Sequence, residues 1–105
     1  MKQTEDQFQR AVIELAQRCG RRVAHFRKAR TKAGNWITPV AGDGAGFPDL
    51  VIVLDDEVLF AELKTDKGKV THGQVEWIEA LRKAGQRAEI WRPRDWPYIE
   101  ETLKR

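Results

Sequence analysis

The fold is decided by residues 46–64, which read GFPDLVIVLDDEVLFAELK. Residues 50–54 form an unbroken apolar run, which is typical of a strand buried on both faces. A polar turn follows at residues 55–57, and residues 58–63 return as a second strand. The stretch therefore predicts a β-hairpin.

Two carboxylates and an amine are brought to one end of this hairpin. Because side chains alternate along a strand, Glu62 and Lys64 leave the same face, while Leu63 points the other way. The second strand returns this pair to Asp49, directly before the first strand. Taken singly, such an Asp is often a turn residue, and a Glu-x-Lys sequence is often a solvated pair. Together, with Glu62 following four apolar residues, they indicate a site for a divalent metal ion beside a cation.

The composition is that of a soluble globular protein. The 105 residues are 41% hydrophobic and 33% charged, which predicts one domain over residues 1–105. No apolar run approaches the length of a membrane span, and the N-terminus lacks the apolar core of a signal peptide. A single cysteine, Cys19, has no partner for an internal disulfide and fits a reducing cytoplasm. One cysteine and two histidines also argue against a structural zinc site.

The net charge of +3 is modest, but basic residues are concentrated between Arg18 and Lys32, where no acidic residue occurs. A charge run of this kind is often only a solvated surface. Its density and the aromatic residues near it make a surface that contacts phosphates the natural alternative. The candidate nucleic-acid-binding residues are Arg21, Arg22, His25, Arg27, Lys28, Arg30 and Lys32.

The first helix has clear signals at both ends. Thr4 and Gln7 predict a capping box, and Gly20 predicts the end of the helix. The helical phase places Glu5 beside the buried stripe and Glu14 away from it. The stripe itself is predicted at Phe8, Val12, Leu15 and Cys19.

The remaining elements follow in order along the chain. Residues 22–26 predict a strand, and residues 27–47 predict a long Gly-rich loop that allows a short strand around 36–38. Its glycines leave room for backbone to approach Asp49 closely. Beyond the hairpin come a helix from Thr71 to Gly85, a strand at 86–91 and a terminal helix from Asp95. The predicted order is α-β-β-β-α-β-α, an α/β sandwich around a mixed sheet.

This pattern resembles the PD-(D/E)xK nuclease superfamily and, within it, the virus-type replication–repair nuclease (VRR-NUC) domains. The resemblance rests on residues 46–50 (GFPDL) and 60–64 (FAELK), with Gln74 and Trp77 after them. It extends from Thr4 to about Trp96. It implies a restriction-endonuclease-like core of order α-β-β-β-α-β, with a mixed central sheet and a short C-terminal helix. The segment from 27 to 45 departs from the family pattern because it is longer than a minimal link.

The resemblance also implies roles for the matched residues. Asp49 and Glu62 would bind the metal together with the main-chain carbonyl of Leu63, and oxygen ligands suit Mg²⁺ or Mn²⁺. Lys64 would position or activate the attacking water and stabilise charge on the phosphate. Two further candidates, Glu5 and Gln74, would support the site from the two helices.

Structural alternatives stay open for the supporting residues. Gln74 could serve only to complete the capping box of Thr71, and Glu5 only to complement the helix dipole. His25 matches a family histidine but could equally be a packed core residue. Trp77, Trp91 and Cys19 are interpreted as packing residues.

The resemblance implies a divalent-metal-dependent DNA endonuclease. Stand-alone members resemble Holliday-junction resolvases, which act as homodimers, so we expect a structure-selective enzyme for branched DNA. We expect it in the bacterial cytoplasm, encoded by the host or by a phage. Two alternatives are a flap or nicking nuclease of a repair complex and a nucleic-acid-binding module without catalysis.

Overall fold

The computed structural model of the chain describes residues 3–26, 29–30, 32–37 and 40–104. Its elements, in chain order, are α1 (Glu5–Arg18), β1 (Arg22–His25), β2 (Ala29–Arg30), β3 (Trp36–Ile37), β4 (Leu50–Val53), β5 (Val58–Leu63), α2 (His72–Lys83), β6 (Arg87–Trp91), a 3₁₀ turn (Pro93–Asp95) and α3 (Trp96–Leu103). The main sheet has the order β1-β4-β5-β6. Strands β1, β4 and β5 are antiparallel neighbours, and β6 joins β5 in parallel. The mixed α/β sheet is the one that the sequence predicts, while the separate β2–β3 ribbon was foreseen only at its second strand.

The predicted hairpin is confirmed as the centre of this sheet. Leu50 pairs with Ala61 and Val53 with Val58, and the amide of Leu54 donates to the carbonyl of Glu57 at 2.8 Å to close the turn. Continuing this register by one residue sets Asp49 opposite Glu62. The hairpin therefore determines where the candidate site can form.

One face of the sheet is covered by α1 and α3. The buried cluster on this face consists of Phe8, Val12, Ala16, Leu50, Ile52, Leu54, Leu59, Ala61, Leu63, Trp91, Ile99 and Leu103. On α1 the fully buried residues are Phe8, Val12 and Ala16, whereas the predicted Leu15 and Cys19 are half-buried at the margin of the cluster. The fully buried stripe follows every fourth residue, so the prediction was right about the helical face, missed Ala16, and placed Leu15 and Cys19 deeper than the margin of the core at which they pack.

The opposite face of the sheet is covered only in part. Helix α2 packs mainly on β6, and Val53 at the far end of β4 is 45% exposed. The prediction that residues 50–54 are buried on both faces is therefore wrong at this end of the strand. An apolar run indicates that a strand can be buried on both faces. Whether both faces are buried depends on where a helix distant in sequence packs.

Both predicted capping boxes are present. In α1 the Thr4 hydroxyl accepts from the Gln7 amide at 3.1 Å, and the Gln7 side chain accepts from the Thr4 amide at 2.9 Å. Thr71 and Gln74 repeat the arrangement at α2. Gly20 and Gly85, with φ of 77° and 84°, follow the ends of α1 and α2 as predicted.

Strand β6 and helix α3 are joined by a polar network around Glu89. Its carboxylate accepts from Arg87 Nε at 2.8 Å, from Trp91 Nε1 at 2.8 Å and from the Tyr98 hydroxyl at 2.9 Å. Burial opposes the ionisation of Glu89, but these hydrogen bonds and the charge of Arg87 outweigh it and hold the pKa of Glu89 below its usual value. The network fixes the start of α3 on the last strand.

Arg21 has a structural role that its sequence context did not reveal. The side chain is only 6% exposed. Its Nε donates to the carbonyl of Leu103 at 3.0 Å, its Nη2 donates to that of Lys104 at 2.8 Å, and its Nη1 pairs with Asp55 at 2.7 Å. Since these bonds satisfy carbonyls at the C-terminal end of α3, the predicted nucleic-acid contact does not fit Arg21.

In the part of the chain that the structure describes, no helix has the length and apolarity to cross a bilayer.

Candidate active site

Asp49 and Glu62 meet at the end of the β4–β5 hairpin. Both are buried, with 3% and 1% of their surface exposed. The Asp49 carboxylate accepts a hydrogen bond from the main-chain amide of Leu63 at 2.9 Å. This bond fastens the residue before β4 to the centre of the Glu62-Leu63-Lys64 sequence. The structure thus brings together the two carboxylates that the predicted hairpin placed at one end of the sheet.

Gln74 holds Glu62 with the same side chain that caps α2. Its Oε1 accepts from the amide of Thr71 at 2.8 Å, and its Nε2 donates to Oε2 of Glu62 at 2.9 Å. The two bonds together define which end of the amide carries the oxygen. The sequence left a choice between a capping role and a role at the site; the structure shows the cap together with a hydrogen bond to Glu62, and a part in catalysis stays a prediction.

Lys64 continues β5 by one residue into the site. Its amide donates to the carbonyl of Trp91 at 3.0 Å, and the residue is 8% exposed. Among the residues with described positions, none forms a hydrogen bond or an ion pair with its ammonium group. The position of this amine is therefore set by the packing of its stem.

The turn before Asp49 packs backbone to backbone on the start of α2. Gly46 has φ of +85°, and a Cβ built on it would lie 2.5 Å from the carbonyl carbon of Gly73 and 2.7 Å from the nitrogen of Gln74. The sequence predicted a close approach near Asp49 but gave no signal that α2 supplies the partner. This contact fixes the distance between Asp49 and the helix that carries Gln74.

An aromatic cluster supports the same turn. The ring of Phe47 makes edge contacts with Phe26, Phe60 and Trp77 at centroid distances of 5.1, 6.3 and 5.0 Å. Trp77 Nε1 also donates to the carbonyl of Asp43 at 2.9 Å. Trp77 is therefore a packing residue of the loop, as interpreted from the sequence, and Trp91 lies in the core.

The ligand set fits a hard divalent cation. Asp49, Glu62 and the Leu63 carbonyl offer only oxygen atoms, which Mg²⁺ and Mn²⁺ prefer. No group of three or more His, Cys, Asp or Glu side chains that could hold a metal occurs within the described ranges. Glu5, half-buried in the first turn of α1, therefore does not complete a three-carboxylate group, and its support of the site stays a prediction.

The remaining candidate nucleic-acid-binding residues belong to β1 and to the segment of the chain that follows it. Arg22 is exposed on β1, His25 is half-buried opposite Leu50, and Lys32 is exposed beyond β2. The backbone of Arg30 lies in β2. Arg27 and Lys28 are outside the described residues. For these residues contact with nucleic acid stays a prediction.

A mixed sheet that presents Asp49, Glu62 and Lys64 at one end, beside a capped helix, defines a nuclease-type fold of the PD-(D/E)xK class. The model of the VRR-NUC domain family matches residues 3–95, and the chain belongs to that family. A solved structure of a VRR_NUC domain protein is similar to it, with 27% sequence identity, a TM-score of 0.65 and coverage of 98% of this chain and 90% of that chain. No curated protein matches the chain. The predicted family and fold class are thereby confirmed.

Proposed function

We propose that this protein is a divalent-metal-dependent endonuclease that hydrolyses phosphodiester bonds in DNA. The observation that carries the proposal is the bond from Leu63 to Asp49, which joins two buried carboxylates to the strand that ends in Lys64. A buried pair of carboxylates is costly unless a cation neutralises it. In a VRR-NUC fold a metal ion and a phosphodiester are the natural occupants of this position.

Asp49, Glu62 and the carbonyl oxygen of Leu63 would hold Mg²⁺ or Mn²⁺. When bound, the ion would offset phosphate charge and make water a better nucleophile at neutral pH. Gln74 donates a hydrogen bond to one oxygen of Glu62, so the orientation of this carboxylate is set before any substrate binds.

Lys64 acts on the reacting groups themselves. Its ammonium group would orient the attacking water and stabilise the negative charge that develops on the phosphate oxygens. Because the residue is 8% exposed, a charge placed there is less screened by solvent than one on the surface.

The substrate is proposed to be branched DNA. A domain of this size offers little surface for reading base edges, so recognition would rest on the shape and backbone of the DNA. Two copies related by a two-fold axis would set their sites on opposite strands of a four-way junction, as in a Holliday-junction resolvase. We therefore propose a homodimer.

The test is a cleavage panel of four-way junction, flap, nicked duplex, linear duplex and single-stranded DNA, each with Mg²⁺, Mn²⁺ or a chelator. We expect junction cleavage that requires a metal and falls about 10²- to 10⁴-fold in Lys64→Ala. Lys67→Ala is the matched control, since Lys67 is an exposed lysine in the adjoining turn. Cleavage of flaps by a protein with the solution mass of a monomer would favour the flap-nuclease alternative. DNA binding without cleavage of any substrate would refute the enzyme and leave a binding module.

A further inference from the structure

The turn that follows Lys64 packs on the side chain of that lysine. Gly68 donates its amide to the carbonyl of Thr65 at 3.1 Å, which closes the turn at residues 65–68. A Cβ built on Gly68 would lie 3.5 Å from Cδ of Lys64 and 2.9 Å from Oγ1 of Thr65. Gly68 therefore lies over the lysine stem, since a Cβ there would be at ordinary van der Waals distance from Cδ of Lys64, while its tight contact would be with the Thr65 hydroxyl.

This turn is held from the outside by Arg92. The Nη1 group of Arg92 donates to the carbonyl of Thr65 at 2.6 Å and to the carbonyl of Gly68 at 2.8 Å. These two carbonyls belong to the first and last residues of the turn. A single cationic group thus ties both ends together, and bonds from a charged donor are among the stronger hydrogen bonds in proteins.

Arg92 is itself well fixed. It directly follows β6, which runs parallel to β5, so it lies beside the end of the strand that carries Lys64. Its amide donates to Oδ2 of Asp95 at 2.8 Å. Arg92, whose two bonds to the turn we call the clamp, is therefore anchored to the sheet and to the 3₁₀ turn before α3.

We propose that Arg92 is a positioning residue for Lys64. By holding the turn at residues 65–68 on the lysine stem, it restricts the rotamers through which the ammonium group can move. A lysine side chain has four rotatable bonds and many accessible rotamers, so a stem without this contact would place the amine correctly for only part of the time. The consequence for catalysis rests on the proposed nuclease function, whereas the effect on the lysine itself does not.

The first test measures the lysine directly and needs no DNA. Brief acetylation of the folded protein by an N-hydroxysuccinimide ester, read by peptide mass spectrometry, gives a labelling rate for each lysine. In the wild type we expect Lys64 to react more slowly than Lys67, which is exposed in the same turn. In Arg92→Ala we expect the rate at Lys64 to rise several-fold while that at Lys104 is unchanged.

Arg94→Ala is the matched control. It removes the same charge two residues further on. Within the described part of the chain, Arg94 contacts this turn through its backbone amide, which donates to Oδ1 of Asp66 at 3.1 Å, and not through its side chain. We expect this variant to label like the wild type. If Arg92→Ala does not fold, Arg92→Lys replaces it, because the ammonium group keeps the charge but sits on a shorter, more flexible stem and lacks the fixed plane that directs Nη1 to both carbonyls, so an intermediate rate is expected.

The second test separates positioning from DNA contact. A misplaced catalytic group lowers the rate of the bound complex by up to about 100-fold, so Arg92→Ala should lower kcat and leave the Kd for junction DNA within about two-fold of the wild type. Arg92→Lys should recover part of kcat.

Three outcomes are decisive. A folded Arg92→Ala protein whose Lys64 labels at the wild-type rate would overturn the proposal. So would a loss of DNA affinity at unchanged kcat, because Arg92 would then be a DNA contact. A wild-type protein that cleaves no DNA would defeat the nuclease function alone, since the labelling rates would still show whether Arg92 holds Lys64.

Discussion

At the scale of single residues, the site is held by side chains that connect one element of the fold to another. Gln74 is the clearest case, since one end of its amide caps α2 and the other holds Glu62. Asp49 likewise precedes a strand and accepts a bond from Leu63 in the neighbouring strand. The helix cap and the candidate ligand geometry are therefore set by the same few atoms, so that local folding at α2 also orients the site.

The two roles of Gln74 can be separated by comparing it with Thr71. Thr71→Ala removes the hydroxyl cap and should lower the free energy of unfolding by about 1 kcal/mol, while the bond from Gln74 to Glu62 remains. Gln74→Ala removes both bonds and should cost about 1–3 kcal/mol, since a buried carboxylate loses a donor. Urea denaturation measures both losses.

Junction cleavage then distinguishes the roles. We expect Thr71→Ala to keep kcat within a few-fold of the wild type and Gln74→Ala to lose much more. Equal kcat values in the two variants would mean that Gln74 contributes only its cap.

At the scale of elements, the site depends on how the loop before β4 lies on the start of α2. Gly46 and Gly73 meet backbone to backbone, and Trp77 fastens the same loop through the carbonyl of Asp43. The approach is this close because Gly46 carries no Cβ, whereas a Cβ on Gly73 would lie at ordinary contact distance, 3.4 Å from the carbonyl oxygen of Ala45. The contact positions the helix that carries Gln74 against the end of the hairpin.

A pair of alanine substitutions isolates this contact. Gly46 and Gly42 both have positive φ, +85° and +74°, but only at Gly46 would a Cβ meet neighbouring atoms within 4 Å. Gly42→Ala should therefore cost only the backbone strain, about 1 kcal/mol. Gly46→Ala adds overpacking and should cost about 1–3 kcal/mol more.

Thermal and urea unfolding of the two variants give the comparison. If both lose the same stability, the loop and α2 do not meet as closely as the structure has them. Gly46→Ala should also weaken junction cleavage, because the turn that holds Asp49 would shift away from α2.

At the scale of the whole molecule, sequence predicted what local patterns encode and missed what distant partners decide. Capping boxes, strand alternation and the Asp49–Glu62 hairpin are written in residues near one another, and all are present in the structure. The exposure of Val53 depends on how far α2 extends across the sheet. The clamp by Arg92 is made to main-chain carbonyls, which every residue has. No residue type in the turn therefore predicts it from the sequence.

Arg21 and Arg22 are neighbours in sequence, but distant parts of the chain give them different environments. The sequence gives them the same interpretation, yet Arg21 is buried against the C-terminal end of α3, 82 residues away, while Arg22 is exposed on β1. Arg21→Ala would leave two carbonyls of α3 without their donor and remove the pair with Asp55. Because loss of one buried hydrogen-bonded partner costs about 1–3 kcal/mol per group, we expect a fall of at least about 2 kcal/mol in unfolding free energy. Arg22→Ala should change it by no more than about 0.5 kcal/mol.

For DNA binding we expect the opposite order, with a larger effect of Arg22→Ala than of Arg21→Ala. An exposed arginine that contacts a phosphate contributes to the salt dependence of binding, so Arg22→Ala should weaken junction affinity and reduce the slope of log K against log salt by about 1. Arg21→Ala, assayed well below its unfolding temperature, should keep both affinity and slope. If the Arg22 variant binds junctions with wild-type affinity and slope, β1 is not part of the DNA-binding surface. Contact would then have to come from basic residues elsewhere around the site, such as Lys69 in the segment between Lys64 and α2.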